Sequence, residues 1–440
     1  MTKIAVVGTG YVGLVSGAML SDFGHTVTCV DVDEIKINML NEGIIPIYEP
    51  GLETIVQMNF YYRRLNFTTD IKDAVENSDV IFIAVGTPSA EDGSAELQYV
   101  LDVAKNIGTH MNGYKVVVNK STVPVGTGQK VKSMVQEILN ERNVDYPFDV
   151  VSNPEFLREG SAVRDFTHPD RIVLGTESER ALEIMKEVYR VLYINETPFV
   201  ETNIETAEMI KYAANAYLAM KITFINEIAN VCEKVGADVQ KVARAMGQDG
   251  RISPKFLHAG PGYGGSCFPK DTIALTKIAK DHGEMISLIE TTIEANERQK
   301  LKMVNKILNA MGSVEGKTLA ILGVTFKPNT DDLRNAPSLV ILPELAKEGA
   351  KFKIYDPAGE NEGTRRFEFI KEKIIWCKSA YEAIENTAAI IILTEWNEFR
   401  SLDFNELQRL NGGKYFFDLR NIYNNKQLNE RGFKYYGVGV

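Results

Sequence analysis

A glycine-rich turn near the start of the chain limits the possible folds more than any other feature of the sequence. Gly8, Gly10 and Gly13 form a G-x-G-x-x-G pattern between an apolar run at 3–7 and a helical pattern that continues to Leu20. A strand that enters a helix through such a turn brings backbone N–H groups and the positive end of the helix dipole to one point, where a pyrophosphate binds. The turn therefore predicts a dinucleotide-binding α/β domain.

Asp31 indicates which dinucleotide this domain binds. It ends the next strand-like run, at 25–31, about 20 residues beyond the glycines. An acidic side chain at this place can hydrogen-bond both ribose hydroxyls and would repel a 2′-phosphate, so we expect NAD rather than NADP. A tight strand–helix turn that binds no ligand would explain the glycines but not Asp31.

Strands and helices alternate along the first part of the chain. Further strand-like runs follow at 79–88, 114–122, 148–153 and 171–176, with helical patterns between them. Strands that are apolar on both faces and separated by helices indicate a parallel sheet covered on both sides. We assign residues 1–200 to an NAD-binding Rossmann-like domain.

The middle of the chain is predicted to be helical. One long helical pattern runs from about 202 to 236 and is opened by a capping box of Thr202 and Glu205, and a second pattern covers about 285–311. Their broad apolar faces predict a central domain at 201–312 that also buries a homodimer interface.

The last part of the chain resembles the first. The segment 317–328 is similar to 3–14, but it keeps only Gly323 and places Lys327 where a glycine would admit a pyrophosphate. We therefore predict a second Rossmann-like domain at 313–440 that binds a different phosphorylated ligand. The predicted fold class is α/β, with two Rossmann-like parallel-sheet domains joined by a central domain of long helices.

Composition excludes several classes of function. The 440 residues carry a net charge of −10, which argues against a surface for nucleic acid or an anionic membrane. The four cysteines are far apart and the five histidines show no metal-ligand spacing, so neither a disulfide framework nor a metal site is indicated. Glycines interrupt the apolar start, which disfavours a signal peptide, and we expect a cytoplasmic protein.

Cys267 is the strongest candidate for a nucleophile. It lies in a glycine-rich segment, GPGYGGSCFPKD (260–271), just before Asp271, which is predicted to cap a helix. The helix dipole and the nearby Lys270 would lower the pKa of this thiol. Beside a nicotinamide, a thiolate can take an aldehyde through a thiohemiacetal to a thioester. The alternative is a small residue in a loop. The other cysteines fall within apolar patterns and are predicted to be buried: Cys29, Cys232 and Cys377.

Several polar residues could complete such a site. Lys211 and Asn215 lie four apart on the long helix and could stabilise an oxyanion, although a solvated helix edge has the same spacing. Glu155 and Glu159 follow a strand end, and a carboxylate acting through water is the natural base. Asp271 is either such a group or only a helix cap.

Other candidates are a hydroxyl and several cations. Thr122 contributes either to a turn or to the site. Lys327 and Arg334 suit a phosphate or carboxylate, and Arg251 and Arg420 are further cationic candidates.

Taken together, the motifs of this chain resemble the nucleotide-sugar dehydrogenases. The resemblance rests on GTGYVG (8–13), EPGL (49–52), VGTP (85–88), STVPVGT (121–127), NPEFLREG (153–160), GPGYGGSCFPKD (260–271) and FKPNTDDLRNAPS (326–338). It covers essentially the whole chain, and the cysteine segment looks most like the UDP-glucose branch. It implies an oxidation in which UDP-glucose, two NAD⁺ and water give UDP-glucuronate, a precursor for polysaccharide biosynthesis, and two NADH.

The resemblance also implies roles for individual residues. Catalysis would use Cys267 as the nucleophile, Lys211 and Asn215 around the oxyanion, and Thr122, Glu155 and Asp271 in water and proton transfer. NAD would meet Gly8, Gly10, Tyr11, Val12, Gly13, Asp31, Lys36, Thr87, Thr122, Glu159, Lys270 and Arg334. The UDP-sugar would meet Glu155, Phe156, Leu157, Arg158, Glu159, Lys211, Asn215, Phe256, Leu257, His258, Ala259, Gly260, Gly264, Lys327 and Arg420, with Arg251 reaching in from a partner chain. Leu419 stands where many relatives carry glycine.

Three other interpretations stay open. The chain could be a GDP-mannose or UDP-N-acetylhexosamine dehydrogenase, which share this architecture. It could be a non-catalytic NAD-binding scaffold, although a decayed site should have lost one of the residues above. A 3-hydroxyacid dehydrogenase shares the fold and the Lys/Asn spacing but needs neither Cys267 nor a second nucleotide-type domain.

Overall fold

Two sheets and a helical central region make up the protein, as the sequence predicts. The computed structural model describes residues 1–411 and 414–440. The chain divides into two compact units, the first made of Met1–Ala214 with Lys280–His282 and the second of Asn215–Ala279 with Gly283–Val440. The sequence predicts three domains, at 1–200, 201–312 and 313–440. The division into two units does not test these boundaries, which remain a prediction.

The first unit is built on an eight-stranded sheet with the order β3-β2-β1-β4-β5-β6-β7-β8. The strands are β1 (Lys3–Val7), β2 (Thr26–Val30), β3 (Leu65–Thr68), β4 (Val80–Ile83), β5 (Lys115–Asn119), β6 (Phe148–Ser152), β7 (Ile172–Gly175) and β8 (Phe199–Thr202). Neighbouring strands run parallel except β6 and β7, which meet antiparallel at Ser152 and Gly175. The first six follow the order typical of dinucleotide-binding folds.

Helices cover both faces of this sheet. Alternate residues of β1 therefore enter different core clusters. Ile4 and Val6 belong to one cluster, and Ala5 and Val7 to another. The helices are α1 (Tyr11–Asp22), α2 (Glu34–Asn41), α3 (Leu52–Tyr61), α4 (Ile71–Glu76), α5 (Gln98–His110), α6 (Thr127–Glu141), α7 (Ala162–Thr167) and α8 (Glu179–Val188), with a 3-10 helix at Arg190–Asn195.

A long helix, α9 (Ile204–Val235), runs from the first unit into the second. The predicted capping box is wrong, because Thr202 ends strand β8 and pairs there with Gly175. The Asn203 side chain caps the helix instead, since its Oδ1 accepts a hydrogen bond of 2.9 Å from the Thr206 N–H.

The second unit contains a six-stranded parallel sheet with the order β11-β10-β9-β12-β13-β14. Its strands are β9 (Thr318–Leu322), β10 (Lys351–Tyr355), β11 (Ile374–Trp376), β12 (Ala389–Ile392), β13 (Tyr415–Asp418) and β14 (Lys434–Tyr436). This is the same order as in the first six strands of the other sheet, so the predicted repetition of the fold is confirmed.

Helices of the remaining chain complete the fold. They are α10 (Val239–Gly247), α11 (Phe268–Asp281), α12 (Ser287–Met311), α13 (Ser338–Lys347), α14 (Glu360–Arg366), α15 (Ala380–Ile384), α16 (Phe404–Asn411) and α17 (Asn425–Glu430), with 3-10 helices at Glu368–Lys373 and Asn397–Ser401. Within residues 1–411 and 414–440, no helix has the length and apolar character that crossing a membrane requires.

Candidate active site

The glycine-rich turn after β1 has the geometry that a bound pyrophosphate needs. Gly8 has φ +104°, and a Cβ on it would lie 2.5 Å from the carbonyl oxygen of Ala84. A Cβ on Gly13 would lie 1.9 Å from the Gly8 carbonyl oxygen, so this position accepts no side chain. Among the described residues, nothing lies within 4 Å of a Cβ built on Gly10, and no side chain caps the start of α1. The N–H groups at Tyr11 and Val12 can therefore receive an anionic ligand, so the residues fit NAD.

Asp31, one residue after β2, is held as an anion. Its carboxylate accepts hydrogen bonds from the Thr9 N–H (2.8 Å), the Thr9 hydroxyl (2.7 Å) and the Asp33 N–H (3.1 Å). Lys36 Nζ lies 3.5 Å from the same carboxylate. Burial alone would raise the pKa of Asp31, but these donors and the Lys36 charge hold it below its ordinary value. An ionised carboxylate here suits the two ribose hydroxyls of NAD and disfavours a 2′-phosphate.

Two loops at the carboxyl ends of β4 and β5 are tied together. The Thr87 hydroxyl donates to the Thr122 carbonyl oxygen at 2.8 Å, and the Ser121 hydroxyl donates to the Val85 carbonyl oxygen at 2.7 Å. Strand β4 pairs with β1 on the side opposite β2, so these loops lie where the strand order reverses. Ligands of open α/β sheets bind at this point, which agrees with the roles predicted for Thr87 and Thr122.

Glu155 and Lys211 form a buried ion pair within the first unit. Lys211 Nζ lies 2.9 Å from Glu155 Oε1, and the two side chains are 4% and 5% exposed. The other oxygen, Oε2, accepts the Leu157 N–H at 2.6 Å. Lys211 Nζ also lies 5.3 Å from the centre of the Phe156 ring, whose face is covered by the Arg171 guanidinium at 3.9 Å. The alternative of a solvated helix edge is wrong for Lys211, and a carboxylate and an ammonium lie side by side.

Lys120 is a residue of this region that sequence reasoning missed. Its Nζ donates to Asn153 Oδ1 at 3.0 Å and to the Tyr189 hydroxyl at 3.3 Å. Burial lowers the pKa of Lys120 to about 8, although the negative charge of Glu155 opposes this shift. The sequence marks Lys120 only by its position directly after β5, at the carboxyl edge of the sheet, where ligands bind.

Glu208 is a second residue that the motifs did not reveal. It lies three residues before Lys211, is 2% exposed, and accepts the N–H groups of Gly126 (2.6 Å) and Gly128 (2.8 Å). Burial raises the pKa of Glu208 to about 7, although these hydrogen bonds oppose the shift. The side chain fixes α9 to the start of α6, which begins just after the Thr122 loop.

The other predicted residues of the first unit lie on the loop that follows β6. Arg158 is exposed and pairs with Asp165 at 2.6 Å, while Leu157 and Glu159 are half-buried. The loop therefore presents a row of polar and apolar side chains beside the Glu155–Lys211 pair.

In the second unit, Cys267 directly precedes α11 and caps it through its backbone. The Asp271 N–H donates to the Cys267 carbonyl oxygen at 2.8 Å, which is the pattern of an N-cap residue. The prediction of a cap at Asp271 is therefore wrong, because the helix begins at Phe268 and Asp271 lies in its first turn. The half-buried thiol lies 3.5 Å from the Ser266 hydroxyl, at the positive end of the helix dipole, which favours a thiolate.

The carboxylate of Asp271 is shared by two side chains that the sequence also marked. Asn215 Nδ2 donates to Oδ2 at 2.6 Å, and Lys270 Nζ lies 2.9 Å from Oδ1. Asp271 is 1% and Asn215 6% exposed, so Asn215 is not on a solvated helix edge either. The first turn of α11 and its neighbouring side chains thus supply a thiol, a carboxylate, an amide and an ammonium.

The glycines before Cys267 permit close packing within the second unit. A Cβ on Gly264 would lie 2.6 Å from the Asn335 carbonyl oxygen, and the Gly265 N–H donates to the Arg334 carbonyl oxygen at 2.7 Å. The glycine-rich segment is thereby held against the segment that carries Lys327 and Arg334.

Arg420 is buried at the carboxyl edge of the second sheet. Its guanidinium donates to the carbonyl oxygens of Leu393 (2.6 Å) and Phe326 (3.0 Å) and lies 3.1 Å from Glu395. Its own carbonyl oxygen is 2.6 Å from the His258 ring. These contacts order the segment that carries His258, and the role of Arg420 in sugar binding stays a prediction.

The remaining predicted substrate residues differ in exposure. Arg251 is 90% exposed in its side chain and pairs with Asp249 at 2.6 Å. Phe256 has φ +65°, a strained conformation for a bulky residue, and its ring packs edge-on against Phe268 at 6.0 Å. Leu257, Ala259 and Gly260 are buried, whereas His258 is exposed.

The other three cysteines are buried, as predicted. Burial raises the pKa of Cys29 to about 12 and also raises that of Cys377, while Cys232 is 4% exposed within the core. In the part of the chain that the structure describes, no cluster of His, Cys, Asp and Glu could hold a metal ion.

A G-x-G-x-x-G turn that opens a helix, with an ionised acid after the second strand of an α/β sheet, defines a dinucleotide-binding protein of the dehydrogenase class. Sequence comparison gives the family. The chain belongs to the UDP-glucose/GDP-mannose dehydrogenase family, whose NAD binding domain matches residues 2–193, whose central domain matches 205–298 and whose UDP binding domain matches 320–425. The resemblance seen in the motifs is confirmed, and the protein is an NAD-dependent oxidoreductase.

Curated relatives are similar over the full length. The UDP-glucose 6-dehydrogenase of Rhizobium meliloti (strain 1021) is 53% identical over 441 residues, covering 99% of each chain. The UDP-glucose 6-dehydrogenase TuaD of Bacillus subtilis (strain 168) is 51% identical, covering 100% of this chain and 93% of the relative.

Solved structures share the architecture. A UDP-glucose dehydrogenase from the hyperthermophilic archaeon Pyrobaculum islandicum aligns with a TM-score of 0.90 at 34% identity, covering 100% of this chain and 98% of that one. A UDP-D-ManNAc dehydrogenase from Pyrococcus horikoshii aligns with a TM-score of 0.84 at 25% identity, covering 99% of each. The α/β fold class predicted from the sequence is confirmed.

Proposed function

We propose that the protein oxidises UDP-glucose to UDP-glucuronate with two NAD⁺, through a covalent intermediate on Cys267. The names of the full-length relatives support the substrate. The observation that carries the mechanism is the arrangement at the start of α11. There the Cys267 thiol lies at the helix N-terminus, and the Asp271 carboxylate is held by Asn215 and Lys270.

The NAD site supplies the oxidant. When bound, NAD⁺ would supply the hydride acceptor for both oxidations. The start of α1 would hold the pyrophosphate, and Asp31 would hold the adenosine ribose through its hydroxyls. The open N–H groups of Tyr11 and Val12 support the first role, and the ionised state of Asp31 supports the second.

The first oxidation converts the C6 alcohol to an aldehyde. Its hydroxyl proton passes through an ordered water to a carboxylate, as its C6–H hydride leaves. We assign this water to Thr122, Glu155 and Asp271, and the stabilisation of negative charge on the C6 oxygen to Lys211 and Asn215.

The second oxidation needs the thiol. The Cys267 thiolate adds to the aldehyde carbon and forms a thiohemiacetal, which keeps the aldehyde from leaving while the reduced cofactor is exchanged. Loss of the second hydride gives a thioester. Water then attacks its carbonyl carbon, the C–S bond breaks, and the products are the carboxylate and the regenerated thiol.

The nucleotide part of the substrate is assigned to the second unit. The family match of residues 320–425 to a UDP binding domain supports this. Lys327 and Arg420 would meet the diphosphate or ribose, and the 256–260 segment and Gly264 would line the uridine and sugar. Phe156 to Glu159 would contact the sugar from the loop after β6.

The assembly that we propose is a homodimer formed through the central helices. Tyr217, Phe224 and Val231 are 54%, 45% and 56% exposed and recur at intervals of seven residues on α9. Apolar side chains at this spacing share one helix face, and large exposed apolar faces mark protein interfaces. We also propose that the protein acts in the cytoplasm, where a catalytic thiol stays reduced.

A panel of nucleotide sugars tests the proposed substrate. UDP-glucose, GDP-mannose and UDP-N-acetylmannosamine are each incubated with the protein and NAD⁺ while NADH absorbance is followed. We expect kcat/KM for UDP-glucose to exceed the others by about 100-fold or more, since sites that pair with substrate hydroxyls discriminate strongly. A preference for another sugar would reassign the substrate, and NAD binding without turnover of any sugar would favour the scaffold interpretation.

A further inference from the structure

Glu49 is a buried carboxylate in the first unit that the proposed mechanism does not use. It belongs to the EPGL segment between α2 and α3 and is 8% exposed. Its Oε2 accepts the Gly160 N–H at 2.6 Å and the Tyr11 hydroxyl. Its Oε1 accepts the Ala162 N–H at 2.8 Å and the Val163 N–H at 3.3 Å. One carboxylate therefore joins three segments that are far apart in the sequence.

The first of these contacts is with the cofactor-binding turn. Tyr11 is the first residue of α1, directly after Gly10. Burial, followed by the hydrogen bond to Glu49, raises the pKa of the Tyr11 phenol well above its ordinary value, so the hydroxyl keeps its proton and donates. The Gly160 N–H also donates to the Tyr11 oxygen at 2.8 Å, which closes a small ring of hydrogen bonds.

The second contact is with the start of α7. The Ser161 side chain at the N-cap position makes no capping hydrogen bond. Glu49 takes its place, because its carboxylate accepts the N–H groups of Ala162 and Val163, the first two residues of the helix. Helix starts left without an acceptor are unfavourable, and an anion there is stabilised by the helix dipole.

Together these contacts fix the far end of the loop that follows β6. The near end is fixed by the buried pair of Glu155 and Lys211. The last residue of this loop is Gly160, which has φ +75° and donates its N–H to Glu49. The residues between these two ends are those predicted to contact the sugar.

Only a carboxylate fits this set of donors. An ionised carboxylate is acceptor-only and has room for several donors on its two oxygens. An amide of the same shape would turn an NH₂ group toward backbone N–H groups or the phenol, and would lose the stronger charge-assisted hydrogen bonds.

We propose that Glu49 is a positioning residue, which sets the 155–160 loop for the nucleotide sugar and ties it to the start of the cofactor helix. It acts through Gly160 and Tyr11 and touches no reacting atom. The inference rests on the proposed function, since the loop is assigned to the sugar there. Its structural part, the ordering of the loop, holds for any substrate.

The variant Glu49→Gln tests this role in the intact protein. We expect KM for UDP-glucose to rise and kcat to fall, together lowering kcat/KM by about 10- to 100-fold, because small misplacements of contact groups are costly. The Kd of NAD, measured by calorimetry, should change less than about threefold, because the α1 N–H groups and Asp31 are untouched. Glu49→Asp, which keeps the charge with a shorter reach, should recover part of the loss and provides a second variant.

Amide hydrogen exchange gives a readout that does not depend on turnover. Exchange in a peptide covering 153–163 should accelerate in Glu49→Gln, while exchange in a peptide covering 98–110, from α5, stays unchanged. Glu53→Gln is the matched control, because Glu53 is exposed on α3 and carries the same charge. It should behave as the wild type in both measurements.

The outcomes separate this inference from the proposed function. If wild-type protein fails to oxidise UDP-glucose, the proposed function fails, and the exchange of 153–163 still decides whether Glu49 orders the loop. Unchanged exchange and unchanged kinetics in Glu49→Gln would overturn the inference. An equal loss of NAD and sugar affinity would also overturn it, since it would indicate a general structural role.

Discussion

Asp31 is kept ionised by donors that come from its own loop and from the glycine-rich turn. The Thr9 N–H and hydroxyl and the Asp33 N–H all face its carboxylate, and Lys36 adds a positive charge. The group is therefore already an anion before a ribose arrives. An anion at this place is expected to accept hydroxyl donors and to repel a phosphate.

Replacing Asp31 by Asn tests its role in binding the cofactor. The variant keeps the shape but loses the charge, and hydrogen bonds to charged groups contribute about 1.5–3 kcal/mol. We expect the Kd of NAD to rise by about tenfold or more, measured by calorimetry at a temperature well below that of unfolding. Asp102→Asn, an exposed position on α5, is the control. Unchanged NAD affinity in Asp31→Asn would count against the ribose assignment.

Single residues also show where the sequence is informative and where it is not. The glycines, Asp31 and Cys267 stand at recognisable spacings, because a turn and a helix start impose local rules on the chain. Glu49 and Glu208 follow no such rule. Their partners Gly160 and Gly126 lie 111 and 82 residues away, and only the folded chain brings them together.

At the scale of elements, α9 carries two buried charged residues on one face. Glu208 and Lys211 are three apart, so their side chains point the same way from the helix. Glu208 accepts the N–H groups at the start of α6, and Lys211 pairs with Glu155 after β6. The helical pattern predicted the element and its end near Gly236. The predicted start of the helix is wrong because Thr202 belongs to β8. The pairing of β8 with β7 cannot be seen in the local sequence pattern.

The titration of Glu208 is expected to appear in the stability of the protein. Its pKa is raised from 4.5 to about 7 in the folded protein, so the folded state holds a proton that the unfolded state releases between these values. The free energy of unfolding therefore falls by up to about 3 kcal/mol as pH rises through this window. Above the window, Glu208 causes no further change with pH.

Glu208→Gln removes this contribution. The drop in the denaturant midpoint between about pH 5 and pH 8 should be smaller in the variant than in the wild type. Glu137→Gln, at an exposed position on α6, is the control and should keep the wild-type pH profile. Identical profiles for wild type and Glu208→Gln would show that Glu208 does not titrate in this window.

At the scale of the whole molecule, one fold is used twice for different purposes. Asp31 after β2 and Asp356 after β10 occupy corresponding places in the two sheets. Asp356 accepts the N–H groups of Val324 (2.7 Å), Thr325 (3.0 Å) and Gly359 (2.8 Å). It is 5% exposed, whereas Asp31 is half-buried, so Asp356 is less accessible to a ligand. The glycines missing from the 317–328 segment likewise predict that the second sheet does not bind a dinucleotide.

Assembly is the other property of the whole molecule. We expect the wild type to sediment as a dimer and a variant with Phe224→Glu and Val231→Lys to sediment as a single chain, since charges on an apolar interface oppose its burial. Phe369→Glu, at another exposed apolar residue of the second unit, should remain dimeric. A wild type that is monomeric at micromolar concentration would contradict the proposed interface.

The amount of NADH formed per UDP-glucose consumed tests whether Cys267 holds the aldehyde between the two oxidations. The control variant is Cys232→Ala, which replaces a buried cysteine of the core. With limiting UDP-glucose, the wild type and this control should each form two NADH and one UDP-glucuronate per UDP-glucose consumed. Cys267→Ser should bind NAD with nearly wild-type affinity and form no net UDP-glucuronate, because a hydroxyl in place of the thiolate does not hold the aldehyde as a thiohemiacetal. Complete turnover to the acid by Cys267→Ser, with two NADH per sugar, would show that no covalent intermediate on Cys267 is needed.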